Sequence, residues 1–413
     1  MANSTIESTD ILIIGGGPAG SAAGAYLHKR GQKVLCLEAG WFPRFVIGES
    51  LLPRCNDLLE EAGLLDAVKA RNYIVKPGAA FLRGDEIERF PFSDALAGDC
   101  PTTFQVPRDD FDQTLATEAR RQGLDLRFGH RVEAIRFDDE GATAQVSIEG
   151  SSPIEVRARF VIDCSGYGRV LPRLLDLERP ALLPRRVSCF THFEKDARPE
   201  GSLEGEIWIC MHPVNGWIWI IPFSNGRTSV GLVCDGTYWD ALSGNAETRL
   251  MRYLREEPNA ERRLREAAQV APVRVIDGYS KKVDRLHGPR WVVVGNASDF
   301  LDPVFSSGVT LALESSLLAA KLAERTLAGQ AVDWDSEYDA VLGKAVGVFL
   351  NFVEAWYRGE LPTIFFHPKK SDEVRRRVAS VLGGYVLKDE NPFVRIPREY
   401  LQTLHRLVGG KAA

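Results

Sequence analysis

The residues best placed for chemistry lie near the N-terminus, in a glycine-rich turn that follows an apolar run. Gly15, Gly17 and Gly20 follow Ile11–Ile14 with G-x-G-x-x-G spacing. This spacing lets the backbone turn tightly and brings the N-terminus of the next helix close to a pyrophosphate. Glu38 ends the following apolar segment, about 20 residues on, where a carboxylate can bind ribose hydroxyls. The segment therefore predicts a strand–helix–strand unit that binds a dinucleotide.

Four further segments are typical of strand ends or helix starts in such a fold. Phe160–Gly166 and Trp291–Ala297 are apolar runs that end in small and polar residues, as buried strands do. Gly48–Pro53 and Val106–Asp112 precede them in the chain, and the second of these begins a predicted helix. Arg108 lies at that helix start, where it either reaches a phosphate or a flavin or is a surface charge.

The two apolar runs resemble segments of FAD-binding oxygenases of the hydroxybenzoate-hydroxylase fold. In that family the late strand ends in Gly-Asp-Ala, whose carboxylate binds the ribityl chain, whereas this chain has Asn296 there. An amide can also exchange hydrogen bonds with a ribityl hydroxyl. The resemblance implies FAD as the cofactor. The cofactor-binding residues that it implies are Gly15, Gly17, Pro18, Ala19, Gly20, Glu38, Ala39, Glu49, Ser50, Arg108, Asp163, Gly166, Asn296, Asp302, Pro303, Gly308 and Val309.

Two stretches, about residues 76–105 and 185–275, alternate apolar and polar residues between Gly and Pro. They predict an antiparallel sheet inserted into the nucleotide-binding fold. The C-terminal part has aromatic residues at helical spacing, and Trp356, Tyr357, Phe365 and Phe366 belong either to a core or to a substrate channel. We predict an α/β (α+β) fold with three parts: a Rossmann-like FAD-binding domain (1–75, 107–175 and 279–330), a substrate-side sheet (76–106 and 176–278) and a C-terminal helical region (331–413).

Residues 217–222 spell W-x-W-x-I-P. On a strand, Trp217, Trp219 and Ile221 would share one face. Composition alone favours a buried strand that packs two large aromatic side chains into a core. The spelling, however, resembles that of the flavin-dependent halogenases. In that family this motif, here Trp217, Trp219, Ile221 and Pro222, lies near the flavin and keeps the substrate away from the ring.

A second resemblance to the halogenases is a lysine in a K-x-G setting, here Lys76-Pro77-Gly78. Taken alone, Lys76 would be a solvated lysine before a turn. In the halogenases the matching lysine takes hypohalous acid, by a hydrogen bond or as a haloamine, and presents electrophilic halogen to the substrate. An amine can do either, because it is a nucleophile when desolvated and a donor when protonated. The resemblance makes Lys76 the catalytic residue.

A third resemblance lies in Phe300–Val309, which contains two serines and a glycine at a predicted helix start. Backbone N–H groups and the helix dipole suit an anion there, although an N-cap without a ligand is the alternative. By resemblance, Ser307 and Gly308 stand where the halogenases bind halide. The tryptophan halogenases carry a catalytic glutamate where this chain has Phe305. That departure points to phenol or pyrrole substrates, which are often held on a carrier protein.

The resemblance covers about residues 9–330 and implies an FADH2-dependent halogenase, an oxidoreductase of secondary metabolism. Reduced FAD, oxygen and chloride or bromide would give hypohalous acid, which Lys76 would deliver to a phenolic or pyrrolic ring, free or carrier-tethered. No second glycine loop for a nicotinamide is present, so we expect a separate flavin reductase as partner. The alternative is an FAD-dependent monooxygenase or dehydrogenase of the same fold, aromatic-hydroxylase-like or geranylgeranyl-reductase-like, without halogenation.

Composition excludes other classes of protein. The 413 residues are 45% hydrophobic and carry a net charge of -5, so we expect a folded core and no nucleic-acid binding. The seven cysteines and seven histidines are scattered without metal-ligand spacing, so no metal site is expected. The N-terminus lacks the pattern of a signal peptide and no apolar run reaches the length of a membrane span. We therefore expect a cytoplasmic protein without integral membrane association.

Overall fold

The structure is a computed structural model that describes residues 6–181, 183–298 and 301–409. Phe300, at the start of the third motif, lies outside these residues. The strands are β1 Ile6–Ile14, β2 Val34–Glu38, β3 Ile74–Lys76, β4 Gly78–Arg83, β5 Glu86–Pro91, β6 Thr103–Gln105, β7 Asp125–Phe128, β8 His130–Asp138, β9 Gly141–Ile148, β10 Ser151–Asp163, β11 Glu178–Arg179, β12 Arg186–Glu194, β13 Ile207–Met211, β14 Trp217–Pro222, β15 Arg227–Asp235, β16 Ala268–Gln269, β17 Arg274–Asp277, β18 Lys282–Val283, β19 His287–Gly288 and β20 Trp291–Val293.

The helices follow the same chain order. They are α1 Pro18–Lys29, α2 Arg54–Glu61, α3 Leu65–Lys69, α4 Arg108–Arg121, α5 Val170–Leu174, α6 Gly236–Ala241, α7 Ala246–Glu256, α8 Pro258–Leu264, α9 Ser307–Leu327, α10 Ala340–Tyr357, α11 Glu360–Phe365, α12 Asp372–Leu382, α13 Pro392–Arg395 and α14 Pro397–Leu407. None of these helices combines the length and apolarity needed to cross a bilayer.

The first sheet has the strand order β19-β20-β10-β1-β2-β7, and β8 and β9 extend it beside β10. β1 runs parallel to both β2 and β10 at its centre. Ile11 to Ile13 and Val34 to Leu37 are buried, because both faces of this part of the sheet are covered. Small residues of α1 pack with leucines and alanines of α9 against one face. The predicted strand–helix–strand unit is confirmed as β1–α1–β2.

The second sheet, β16-β12-β15-β14-β13-β4-β5, is antiparallel except where β13 runs beside β4. Its middle strand, β14, carries the W-x-W-x-I-P motif. Trp217, Trp219 and Ile221 face an aromatic cluster that includes the C-terminal helices. Ile218 and Ile220 face the opposite side, toward α7 and α8. The inserted antiparallel sheet is therefore confirmed, and period-2 alternation assigned the two faces correctly.

The C-terminal helices α10 to α14 cover the aromatic face of the second sheet. Phe349, Phe352, Val353 and Trp356 on α10 are all buried there, because their helical spacing gives one apolar face. β3 and β6 pair with each other outside the two large sheets, with Lys76 opposite Thr103. This small pair fixes the backbone at Lys76.

Candidate active site

A cavity of about 630 Å³ lies between the two sheets, a volume typical of cofactor pockets. Its wall combines the β1–α1 turn, the end of β2, the segment around Glu49, strand β14 and the start of α9. Of the predicted cofactor-binding residues, Gly20, Asp163 and Asp302 do not line it. Those that do are Gly15, Gly17, Pro18, Ala19, Glu38, Ala39, Glu49, Ser50, Arg108, Gly166, Asn296, Pro303, Gly308 and Val309.

The glycine turn places the start of α1 at the cavity. Gly15 has φ of +101°, which other residues rarely adopt. A Cβ at Gly20 would lie 1.9 Å from the Gly15 carbonyl oxygen, so Gly20 is needed for close packing of helix on strand. A Cβ at Gly17 would meet only Arg44 Nη2, at 3.5 Å. Gly17 therefore leaves open the space in which a pyrophosphate would approach the helix start.

Glu38 ends β2 at the rim of the same turn. Its Oε2 accepts a hydrogen bond from Gly16 N at 2.8 Å, and its Oε1 accepts one from Gly40 N at 3.0 Å. The carboxylate is thereby fixed against the glycine turn while it lines the cavity. The glycines before α1 leave the helix start open to a pyrophosphate, and the fixed Glu38 carboxylate beside it suits a ribose. Together they fit a dinucleotide.

Arg108 and Glu49 form the opposite wall. The Arg108 guanidinium donates to both carboxylate oxygens of Asp112, at 2.7 and 3.1 Å, and to the carbonyls of Ile47 and Gly48. Arg108 therefore orders the loop that carries Glu49 in addition to lining the cavity. It is 7% exposed, so the structure excludes the surface-charge alternative.

Asp163 does not reach the cavity. Its carboxylate oxygens accept hydrogen bonds from Ser165 N at 2.9 Å and Leu171 N at 2.7 Å. Burial raises the pKa of this carboxyl group. Asp163 thus holds the turn that presents Gly166 to the cavity, and its predicted contact with the cofactor stays a prediction.

The W-x-W-x-I-P strand forms one cavity wall through Trp217, Trp219 and Ile221, whereas Pro222 is buried outside it. Trp219 Nε1 donates to Ser229 Oγ at 3.1 Å, and Trp217 Nε1 donates to Tyr357 Oη at 3.0 Å. Both indoles are therefore fixed in orientation.

Gly231 provides the space under the Trp219 ring. A Cβ there would lie 2.3 Å from that ring and 2.5 Å from Phe190 Cβ. We expect Gly231→Ala to lower the free energy of unfolding by about 1–3 kcal/mol and to change tryptophan fluorescence. Urea unfolding measures both effects. Gly347→Ala, at a helical site with no atom within 4 Å, is the matched control; an equal loss there would contradict the packing argument.

Lys76 is 1% exposed and does not line the cavity. Its Nζ donates to the Leu51 carbonyl at 2.8 Å and lies 5.4 Å from the centre of the Phe92 ring. It makes no ion pair with any described residue. Burial lowers the pKa of the amine to about 7, because desolvation penalises the charged form. Near neutral pH both the ammonium and the free amine are accessible.

The aromatic ring near the Lys76 amine, that of Phe92, belongs to a larger aromatic cluster. Phe92 belongs to the same cluster as Phe81 and Phe305, and this cluster also contains Trp217 and Trp219. The two tryptophans thus have the cavity on one side and the aromatic cluster on the other.

The low pKa of Lys76 has an effect on stability. The folded-state pKa is about 7, whereas the ordinary value is 10.5, so the unfolded chain holds more protons between these values. The contribution of Lys76 to stability therefore rises with pH across this window. We expect the wild type to gain about 2 kcal/mol more than Lys76→Met between pH 6 and pH 9. Urea unfolding at both pH values measures this, and parallel pH profiles would contradict it.

Comparisons with known proteins agree with this geometry. Residues 8–337 match the family model of an FAD-binding domain. A flavin-dependent halogenase of Armillaria mellea is 32% identical over 349 residues, 79% of this chain and 69% of that protein. A 1H-pyrrole-2-carbonyl peptidyl-carrier protein brominase of Pseudoalteromonas luteoviolacea is 27% identical over 387 residues, 92% of this chain and 93% of that protein.

The chain belongs to the flavin-dependent halogenase family. The predicted FAD-binding class and the suspected family are thereby confirmed. Among solved structures, a flavoprotein/dehydrogenase from Cytophaga hutchinsonii is 42% identical with a TM-score of 0.94 and covers 97% of this chain and 99% of that chain. Proteins similar to this chain thus include both halogenases and a flavoprotein/dehydrogenase.

The serine- and glycine-containing motif of this halogenase-family chain lies at the start of α9. Ser306 adopts a left-handed conformation with φ of 56°, and α9 begins at Ser307. Ser306 and Gly308 line the cavity, whereas the Ser307 side chain is buried and does not. Phe305 is buried against Phe81 and Trp356. The motif thus has its helix start on the cavity and its phenylalanine in the aromatic cluster.

Asp302 is the third predicted cofactor residue that does not line the cavity. Its Oδ2 accepts hydrogen bonds from Tyr279 Oη at 2.9 Å and Tyr357 Oη at 2.8 Å, and its Oδ1 accepts one from Val304 N at 3.1 Å. Burial raises the pKa of Asp302. Tyr357 in turn accepts from Trp217, so Asp302 positions the tryptophan wall.

Several cavity residues were not found by sequence reasoning. They include Arg44, Arg131, Arg173, Ser188, Ile207 and Tyr279. Most come from separate loops and strands that no local spacing connects. Arg44 alone had a local signal, because it is a cation in the loop directly after Glu38 and lies 3.8 Å from that carboxylate.

Proposed function

We propose that this chain uses reduced FAD, oxygen and bromide or chloride to halogenate a phenolic or pyrrolic ring. The observation that carries the proposal is Lys76, a buried amine that pairs with no carboxylate among the described residues, lies 5.4 Å from the centre of the Phe92 ring and stands outside the cavity lining. Neither oxygen insertion nor hydride transfer requires such an amine. When bound in the cavity, reduced FAD with oxygen supplies the two-electron oxidation of halide to hypohalous acid.

Lys76 presents the oxidised halogen to the ring. As an ammonium it donates a hydrogen bond to hypohalous acid and holds it in place. As a free amine it forms an N–halogen bond, and the oxygen leaves as water with an amine proton. The ring carbon then takes the halogen and loses its own proton. In the hydrogen-bonded form the O–halogen bond breaks and the hydroxide leaves with that proton as water; in the N–halogen form the N–halogen bond breaks and the amine nitrogen takes the proton. Because the pKa of Lys76 is about 7, both forms are accessible at neutral pH and either one can present the halogen.

The cavity residues have matching roles. The backbone at Ser307 and Gly308 begins a 21-residue helix, whose positive end suits a halide. Trp217, Trp219 and Ile221 keep the substrate and bulk water from the flavin, and Pro222 ends the strand that carries them. The lining residues named above hold FAD, with Glu38 on the ribose and Gly17 at the pyrophosphate.

The partners follow from the same reading. A separate flavin reductase supplies reduced FAD, and the substrate is an aromatic ring, free or on an acyl or peptidyl carrier protein. The pyrrolyl-carrier brominase, which aligns with 92% of this chain, supports the carrier-bound form. We place the enzyme in the cytoplasm, a reducing compartment that suits its seven free cysteines.

Product mass spectrometry tests the proposal. The purified protein is supplied with FAD, a flavin reductase, NADH, oxygen, bromide and a panel of phenols and pyrroles, both free and as carrier thioesters. We expect a bromine isotope doublet in at least one product. Omission of bromide is the control, and a gain of oxygen without bromine would contradict the proposal.

A second candidate function is oxygenation or dehydrogenation by the same fold. The Cytophaga hutchinsonii flavoprotein/dehydrogenase, at 42% identity and a TM-score of 0.94, favours it. This candidate predicts products that change by one oxygen or by two hydrogens and do not depend on bromide.

A further inference from the structure

A second cavity of about 270 Å³ lies beside the first. Its wall consists of loop residues before β12 and after β17, and it includes four cations: Arg179, Arg185, Arg186 and Lys281. Asp302 is the one acidic residue in its lining. Burial raises the pKa of Asp302, and two tyrosine hydroxyls donate to it. Arg186, in the same wall, attracts this carboxylate through its positive charge and so partly offsets its repulsion of an anion.

Two of the four cations are already paired. Arg185 binds Asp240 and Asp277, and Arg179 binds Asp284.

The other two cations, Arg186 and Lys281, make no ion pair with any described residue. The Arg186 guanidinium lies 3.4 Å above the centre of the Tyr357 ring, which fixes its plane, while Lys281 is exposed at the cavity mouth. A guanidinium beside an ammonium is a suitable donor set for a phosphate group.

The second cavity is separated from the first by a thin wall. Tyr279 lines both cavities, and Asp302 holds Tyr279 and Tyr357 on one carboxylate oxygen. Tyr357 accepts a hydrogen bond in turn from Trp217, which lines the first cavity. One side chain, that of Tyr279, therefore lies directly between the two spaces.

The wall also adjoins the aromatic cluster that contains Phe81 and Phe305. Asp302 begins the 3-10 turn that ends at Phe305, a span of about 6 Å. Trp356, next to Tyr357 in the chain, packs against Phe305 and Phe81. A group held at Asp302 would thus lie one turn away from the aromatic cluster.

We propose that the second cavity is the entrance for a carrier-bound substrate and that Arg186 and Lys281 bind the phosphate of its phosphopantetheine arm. This inference rests on the carrier-bound form of the proposed function. A volume of about 270 Å³ is far larger than a halide ion requires, and it suits a phosphate with part of an extended chain. The wall of Tyr279 and Asp302 then marks the point at which the arm passes toward the aromatic cluster.

Binding of pantetheine and of 4′-phosphopantetheine to the FAD-loaded protein tests this without any halogenation. Isothermal titration is expected to give at least about tenfold tighter binding for the phosphorylated compound, about 1.4 kcal/mol. In Arg186→Ala and in Lys281→Glu this preference should fall below about twofold. Lys281 is exposed, so its variant tests the site without disturbing the core. Arg255→Ala, an exposed arginine that lines neither cavity, is the matched control.

Equal binding of the two compounds to the wild type would overturn the inference. Inorganic phosphate or chloride that binds as tightly as 4′-phosphopantetheine, with the same dependence on Arg186 and Lys281, would also overturn it, because the site would then serve a free anion. Selective binding in a protein that fails to halogenate would refute the proposed function and leave the entrance in place. Halogenation of free phenols by a protein that does not bind 4′-phosphopantetheine selectively would refute the entrance and leave the halogenase function in place.

Discussion

Gly17→Val is expected to abolish FAD binding while the protein stays folded. The native residue has an extended backbone with φ of -68°, which valine adopts readily. The nearest protein atom to an added Cβ is Arg44 Nη2, at 3.5 Å, so the apoprotein has room for the side chain. That side chain would occupy the space where the pyrophosphate meets the start of α1. We expect at least about a 100-fold loss of FAD affinity, or about 2.7 kcal/mol.

Gly20→Ala is the matched comparison in the same turn. Its Cβ would lie 1.9 Å from the Gly15 carbonyl oxygen, so this variant should lower the unfolding temperature of the protein as well as its FAD content. Flavin fluorescence titration and thermal unfolding separate the two effects. Stoichiometric FAD in folded Gly17→Val would contradict the position given to the pyrophosphate.

Lys76→Met is expected to lower the rate of product halogenation by at least about 100-fold without slowing flavin oxidation. Methionine is similar in length and apolar, so it should fill the space among Leu51, Phe92 and Cys55 without a cavity. The oxidised halogen would still form in the first cavity but would find no amine beyond the tryptophan wall.

The measurement for Lys76→Met is the ratio of halogenated product to oxidised flavin. Lys33→Met controls for the loss of one positive charge. Lys33 is exposed, and its side chain makes no ion pair with any described residue. A wild-type ratio in Lys76→Met would remove this residue from the mechanism.

Local spacing predicted the parts of the site that one chain segment builds. The glycine turn, the two faces of β14 and the start of α9 each depend on the types and spacing of a few neighbouring residues. The sequence alone was therefore sufficient to predict them. The alternation of Trp217 and Trp219 with Ile218 and Ile220 is the clearest case, because period-2 geometry leaves no other division of the strand.

Contacts between distant segments could not be predicted in this way. Asp163 and Asp302 lie in sequence motifs typical of cofactor-binding carboxylates. In the structure their oxygens accept hydrogen bonds from backbone N–H groups and from tyrosine hydroxyls. Likewise, nothing near Lys76 in the sequence shows that its amine is buried beside Leu51 and Phe92. Burial among segments that are distant in the chain lowers the pKa of this amine, and the proposed chemistry uses that low pKa.

Oxidised halogen should pass inside the protein to Lys76 without release to solution. Bromination by the wild type in the presence of an excess of a bulky trap for free hypobromous acid, such as monochlorodimedone, tests this directly. We expect the yield of brominated product to be unchanged by the trap and the trap to become brominated only in Lys76→Met. Loss of wild-type product to the trap would mean that halogenation takes place in free solution, and would contradict the role given to Lys76 and to the tryptophan wall.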